Sequence, residues 1–125
     1  MITEDYVSFE IAKLLKEKGF DEPVATCYSN YNGLKPYTLI NTGVYSYKNS
    51  TEHSPFWISA PTLQMAMKWL REVHRLFICV EIGVGAYAWN ITNTTDYAIV
   101  YVDATVGTYE EACEVAIKYC LENLI

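Results

Sequence analysis

The chain has 125 residues, with fifteen acidic against nine basic side chains, a formal charge of −6 and 51% apolar residues. That length suits one ordinary domain, and the composition is that of a globular chain rather than a disordered one. The acidic balance lacks the basic signature of a nucleic-acid binder, and no apolar run reaches the roughly 18 residues a transmembrane helix needs.

The opening Met1-Ile2-Thr3-Glu4-Asp5 has neither a basic nor an apolar region of the kind that marks a secretory signal, so a cytoplasmic location is expected. From Glu4 to Lys18, Val7, Ile11, Leu14 and Leu15 recur at helical spacing. Thr3 is the expected N-cap, and Gly19 marks the C-terminal stop. Strand-forming residues follow over 24–31, 37–40 and 44–47, with a short further segment at 56–58. A second helix is expected from Pro61 to Val73, where proline suits the first helical position. Over 76–82, Leu76, Ile78, Val80 and Ile82 alternate against Phe77, Cys79 and Glu81, Gly83-Val84-Gly85 turns the chain, and 86–91 and 97–102 complete an antiparallel meander. Apolar residues on both faces of 97–102 predict an interior strand. Thr108 followed by Glu111 is a capping-box pattern that starts a third helix, Tyr109 to Asn123. These elements predict a single α+β domain over 1–125: a mostly antiparallel sheet of about five strands with three helices, in the order α-β-β-α-β-β-β-α.

Few residues are placed to do chemistry. Gly83-Val84-Gly85 joins strand to strand, so the helix N-terminus of a phosphate cradle is missing. His53 lies in a polar loop, and His74 at a helix end where the dipole favours a cation. Cys27, Cys79, Cys113 and Cys120 form no C-x-x-C pair; buried, reduced thiols are expected. No spacing gives three convergent metal ligands, and neither a cofactor nor a catalytic residue is expected.

Two surface features remain. Charge is uneven: residues 61–75 net +2 while 76–125 net −6. Lys68, Arg71 and Arg75 stand at i, i+3 and i+7, a candidate basic patch on one helix face. The chain also holds eleven tyrosines, mostly in or beside strands. Tyrosine suits a half-buried pleated surface, yet it is also enriched where proteins meet. Tyr45, Tyr47, Tyr87 and Trp89 form the candidate interaction patch on that second reading.

The run ISAPTLQMAMKWLREVH from Ile58 to His74, the segment Ser8–Phe20 with AKLLKEKGF, and the closing Thr108–Ile125 beginning TYEEA resemble short proteins of gut Bacteroides and their prophages. These three segments cover less than half the chain, and they coincide with the expected helices. The resemblance implies a small phage-associated or mobile-element protein and transfers no catalytic residue. The functional expectation is therefore a non-enzymatic protein-interaction or structural accessory protein, binding a protein partner or itself. The alternative is a nucleic-acid accessory protein using Lys68, Arg71 and Arg75.

Overall fold

The computed structural model describes residues 1–30, 33, 35–41, 43, 48–50 and 57–125, with 101–105 described by their backbone. The elements are α1 (Phe9–Glu17), β1 (Thr26–Ser29), β2 (Thr38–Asn41), β3 (Trp57–Ser59), α2 (Leu63–His74), β4 (Leu76–Ile82), β5 (Tyr87–Asn93), β6 (Ile99–Val106) and α3 (Tyr109–Tyr119). A π-helical turn, Cys120–Leu124, continues α3. The α+β class and the element order agree with the sequence pattern. The strands, however, form two antiparallel sheets of three rather than one of about five, ordered β2-β1-β3 and β4-β5-β6. Contacts cluster accordingly into two compact units, Met1–Thr62 and Leu63–Ile125.

In the first unit α1 starts five residues later than expected. Tyr6 bridges to Thr62 and the Val7 amide donates to the Pro61 carbonyl at 3.0 Å, which holds the chain extended there. Ser8 then caps the helix, its hydroxyl accepting from the Ile11 amide at 3.3 Å. At the other end Gly19 takes φ +90. Its amide donates to the Lys16 carbonyl, and that of Phe20 to the Leu15 carbonyl, closing a Schellman motif. Phe20 folds back into the core beside Val7, Ile11 and Leu15, all at 2% exposure or less. Pro61, used by the Val7 amide, lies ahead of α2 rather than at its first position.

β1 is central in its sheet, with Cys27 opposite Ile40 of β2 and Ser59 of β3. Buried Thr26 donates to the Ala60 carbonyl. Tyr28 donates to the Val7 carbonyl at 2.7 Å and meets the Phe9 ring edge-on, and Phe9 in turn stacks on Tyr37 at 4.4 Å. Asn49 joins two elements. Its amide donates to the Phe20 carbonyl at 2.8 Å, and its Oδ1 accepts from the Ser59 amide at 3.1 Å.

In the second unit β4 and β5 pair over their whole length, from Leu76 with Asn93 to Ile82 with Tyr87. α2 packs on β4, and α3 on both β4 and β5. β6 lies at the edge of this sheet, not in its interior; Ile99 is 67% exposed, and β5 is the central strand. Thr108 caps α3, its hydroxyl accepting from the Glu111 amide at 3.1 Å. The buried stripe Ala112, Cys113, Ala116 and Ile117 repeats at helical spacing.

Asn49→Ala removes both half-buried hydrogen bonds at once. It is expected to lower unfolding free energy by about 1–3 kcal/mol, read from urea denaturation, whereas a loss within about 0.5 kcal/mol would show Asn49 to be replaceable by water.

Candidate functional site

Side chains alternate across a strand, so one buried residue fixes the facing of its whole sheet. Trp89 and Ile91 of β5, at 1% and 0% exposure, point into the second unit's core with Leu76 and Ile78 of β4. Trp89 lies 6.0 Å from the Tyr119 ring, and Tyr87 meets Tyr109 edge-on at 6.3 Å. This corrects the expected interaction patch. Trp89 is a core residue, and Tyr87 is half-buried against α3, because the large apolar area of both rings is taken by the helix face. Tyr45 and Tyr47, the other two members, lie outside the described residues.

The opposite face of this sheet carries the exposed apolar groups. Phe77 pairs with Thr92, and Thr92 pairs with Ile99, so the three side chains form one row across all three strands. Phe77 is 41% exposed and Ile99 is 67% exposed. Cys79 and Asn90 form the next row inward along β4 and β5, and Glu81 and Ala88 the one after. The Cys79 thiol donates to Glu81 Oε1 at 3.6 Å; burial first, and then the neighbouring carboxylate, push its pKa up. At the hairpin between β5 and β6, Tyr97 is held at φ +60 and is 81% exposed. Its amide donates to the Asn93 carbonyl at 2.8 Å, which fixes the turn. Phe77, Thr92 and Ile99 were not singled out from sequence. The signal was present in the alternation over 76–82, which sets Phe77 on the face of Cys79 and Glu81.

The basic patch does not form as a helical stripe. α2 ends at His74, and Arg75 leaves it in the left-handed region, φ +60, where its carbonyl accepts from the Thr94 amide at 2.9 Å. Arg71 reaches the Glu72 carboxylate at 3.8 Å, on a half-exposed surface that screens the pair. Lys68 and a partly neutralised Arg71 are what remain on the helix.

His74 is a half-buried structural histidine rather than a solvated cation. Its ring packs edge-on against Trp69 at 4.7 Å, and its Nε2 is buried without a hydrogen-bond partner among the described residues. Burial lowers its pKa. His53 lies outside the described residues. Cys27, Cys113 and Cys120 are buried thiols, and burial pushes Cys120 up to about 12, far from a nucleophile's range. Among the described residues no three histidine, cysteine or acidic side chains converge as metal ligands. None of the helices there is long and apolar enough to cross a membrane.

The first unit has an open concavity of about 350 Å³ lined by Lys16, Gly19, Phe20, Asp21, Asn49 and Ser50. Three of its polar residues, Asn49, Asp21 and Ser50, already have partners. Asn49 holds Phe20 and Ser59, and Asp21 accepts from the Ser50 amide at 2.6 Å; hydrogen bonds from the Ser50 side chain first, and then from its amide, lower the carboxyl's pKa.

No family model, no curated protein and no solved structure matches this chain. The functional reading therefore rests on the geometry of the second sheet.

The burial of His74 has a consequence for pH dependence. Its folded-state pKa lies below 6.5, so well above that value the ring is neutral in both states and costs nothing. As pH falls through 6.5, the unfolded chain takes up a proton that the fold resists, and stability declines. An NMR titration of the imidazole signals, assigned with His74→Gln, is expected to place the His74 midpoint below 6.5; a midpoint at or above it would contradict a ring whose half-buried setting disfavours its charge.

Proposed function

We propose that the chain is a non-enzymatic protein-interaction module that meets its partner on the face of the β4–β5–β6 sheet opposite α2 and α3. The observation that carries this reading is the exposed row Phe77–Thr92–Ile99. An antiparallel sheet with one face packed on helices ordinarily turns alternating polar side chains to water on the other. Here that face begins with two large apolar groups flanking a threonine. Single exposed apolar side chains are common and need no explanation, but contiguous ones mark contact surfaces. Removing such a row from water contributes roughly 25 cal/mol for each Å² covered. Thr92 and Asn90 add polar groups that can fix a partner's orientation. A partner with complementary apolar side chains and few charges suits this surface. The phage or mobile-element origin implied by the helical resemblance belongs to the same proposal.

Ile99→Asp tests the reading, because Ile99 is exposed and its loss leaves the core untouched. The variant is expected to unfold within about 0.5 kcal/mol of the parent chain. In affinity purification from the native host, a defined partner retained by the parent is expected to be lost by the variant. Recovery of the same proteins by both would remove this face from the function.

A further inference from the structure

We propose that one partner of this module is a second copy of the chain, which pairs antiparallel along the outer edge of β4 and joins two three-stranded sheets into one of six. This rests on the interaction reading above and names an occupant for a different part of the same sheet.

The backbone register identifies the edge. The Gly83 amide donates to the Ala86 carbonyl across the turn, and the Thr94 amide to the Arg75 carbonyl at the other end of the ladder. Hydrogen-bonded pairs alternate along an antiparallel ladder. Phe77, Cys79 and Glu81 therefore direct their amides and carbonyls toward β5. Leu76, Ile78, Val80 and Ile82 direct theirs away from it. β4 ends the sheet on this side, and no described strand pairs with it there.

Edges of this kind are ordinarily blunted by charged side chains, lysine above all, by proline, a bulge or shortness. Of these β4 has one exposed carboxylate, Glu81, near its end. It runs seven residues, LFICVEI, with no proline and no basic residue, and its ladder with β5 is unbroken. The other edge, β6, pairs with β5 through two register shifts, the irregularity that protects an edge.

The sequence of β4 is self-complementary. Antiparallel pairing of two copies about Cys79 uses all seven residues. Ile78 then lies opposite Val80 of the second copy, and Leu76 opposite Ile82 of the second copy, apolar against apolar. Glu81, the only charge in the strand, lies opposite Phe77 of the second copy and not opposite another carboxylate. Like charges directly opposite would be destabilising, so this register avoids the one electrostatic conflict available. A two-fold axis normal to the sheet keeps the helices of both copies on one side and the two Phe77–Thr92–Ile99 rows on the other. At the axis Cys79 faces Cys79 of the second copy in a non-hydrogen-bonded pair, the closer of the two spacings.

Sedimentation equilibrium of the full chain, kept reduced, is expected to give twice the 14.3 kDa monomer mass. Cys79→Lys and Cys79→Glu each place like charges opposite one another at the axis. Each is expected to weaken the dimer at least tenfold (about 1.4 kcal/mol), while an equimolar mixture of the two restores it. Ile82→Lys, at an exposed edge position, is expected to weaken it while leaving the circular dichroism spectrum of the folded chain unchanged. A chain that stays monomeric at its highest soluble concentration, or a dimer that both charged variants leave intact, would overturn the proposal. Ile99 lies on β6, two strands from the axis, so Ile99→Asp reports on the face alone and the two readings fail separately.

Discussion

The burial of Trp89 governs the second unit. The side-chain period of a strand is two, so placing Trp89 and Ile91 in the core turns Asn90 and Thr92 to the other face. The unbroken β4–β5 ladder then assigns a face to every residue of β4 as well. Slipping the register by one would bring Trp89 and Ile91 to the surface at about 2–3 kcal/mol for each large side chain. It would also bury Glu81 and Asn90 without designated partners. The exposed row Phe77–Thr92–Ile99 is the other side of that constraint, since it consists of residues that face away when Trp89 faces in.

The first unit depends on backbone groups captured outside its helix and sheet. Extended residues ahead of α1 would leave amides and carbonyls without helical partners. The Val7 amide is taken by Pro61, and the Val7 carbonyl by the Tyr28 hydroxyl. The same tyrosine ring rests on Phe9, which stacks on Tyr37, so one aromatic cluster joins the start of α1 to its sheet. Much of the chain's tyrosine content is explained by such internal roles: Tyr28, Tyr37, Tyr87, Tyr109 and Tyr119 all contact rings of their own unit.

The helices and the β4–β5 hairpin were legible in the sequence because their signals are local. Gly19 predicts the C-terminal stop of α1, and Thr108 the N-cap of α3; both are present. The alternation over 76–82 matches β4 at both ends. What failed depended on non-local contacts. The start of α1 moved because Val7 found Pro61, more than fifty positions away. Arg75 left the basic stripe because its carbonyl was needed by Thr94. The division of the strands into two sheets depends on which strands pair, and propensity carries no information about that. The aromatic patch failed for a related reason. Tyrosine and tryptophan mark half-buried surfaces without specifying which face of a sheet the helices will cover.

Facing and edge are linked through the same period. Along β4, the residues whose backbone groups point outward from the sheet are also the ones whose side chains point inward. Leu76 and Ile78 are 5% and 6% exposed, so the amides and carbonyls at that end of the edge belong to residues anchored in the core. Val80 is half-buried, and Ile82, at 81% exposure, is the least restrained. An edge ordered before it meets another strand loses less conformational freedom on pairing than a mobile one, and affinity for a given set of hydrogen bonds rises accordingly. The packing of α2 against β4 thus has two effects. It fixes the bare face on which Phe77 stands, and it stiffens the Leu76 end of the strand whose outer backbone groups have no described partner.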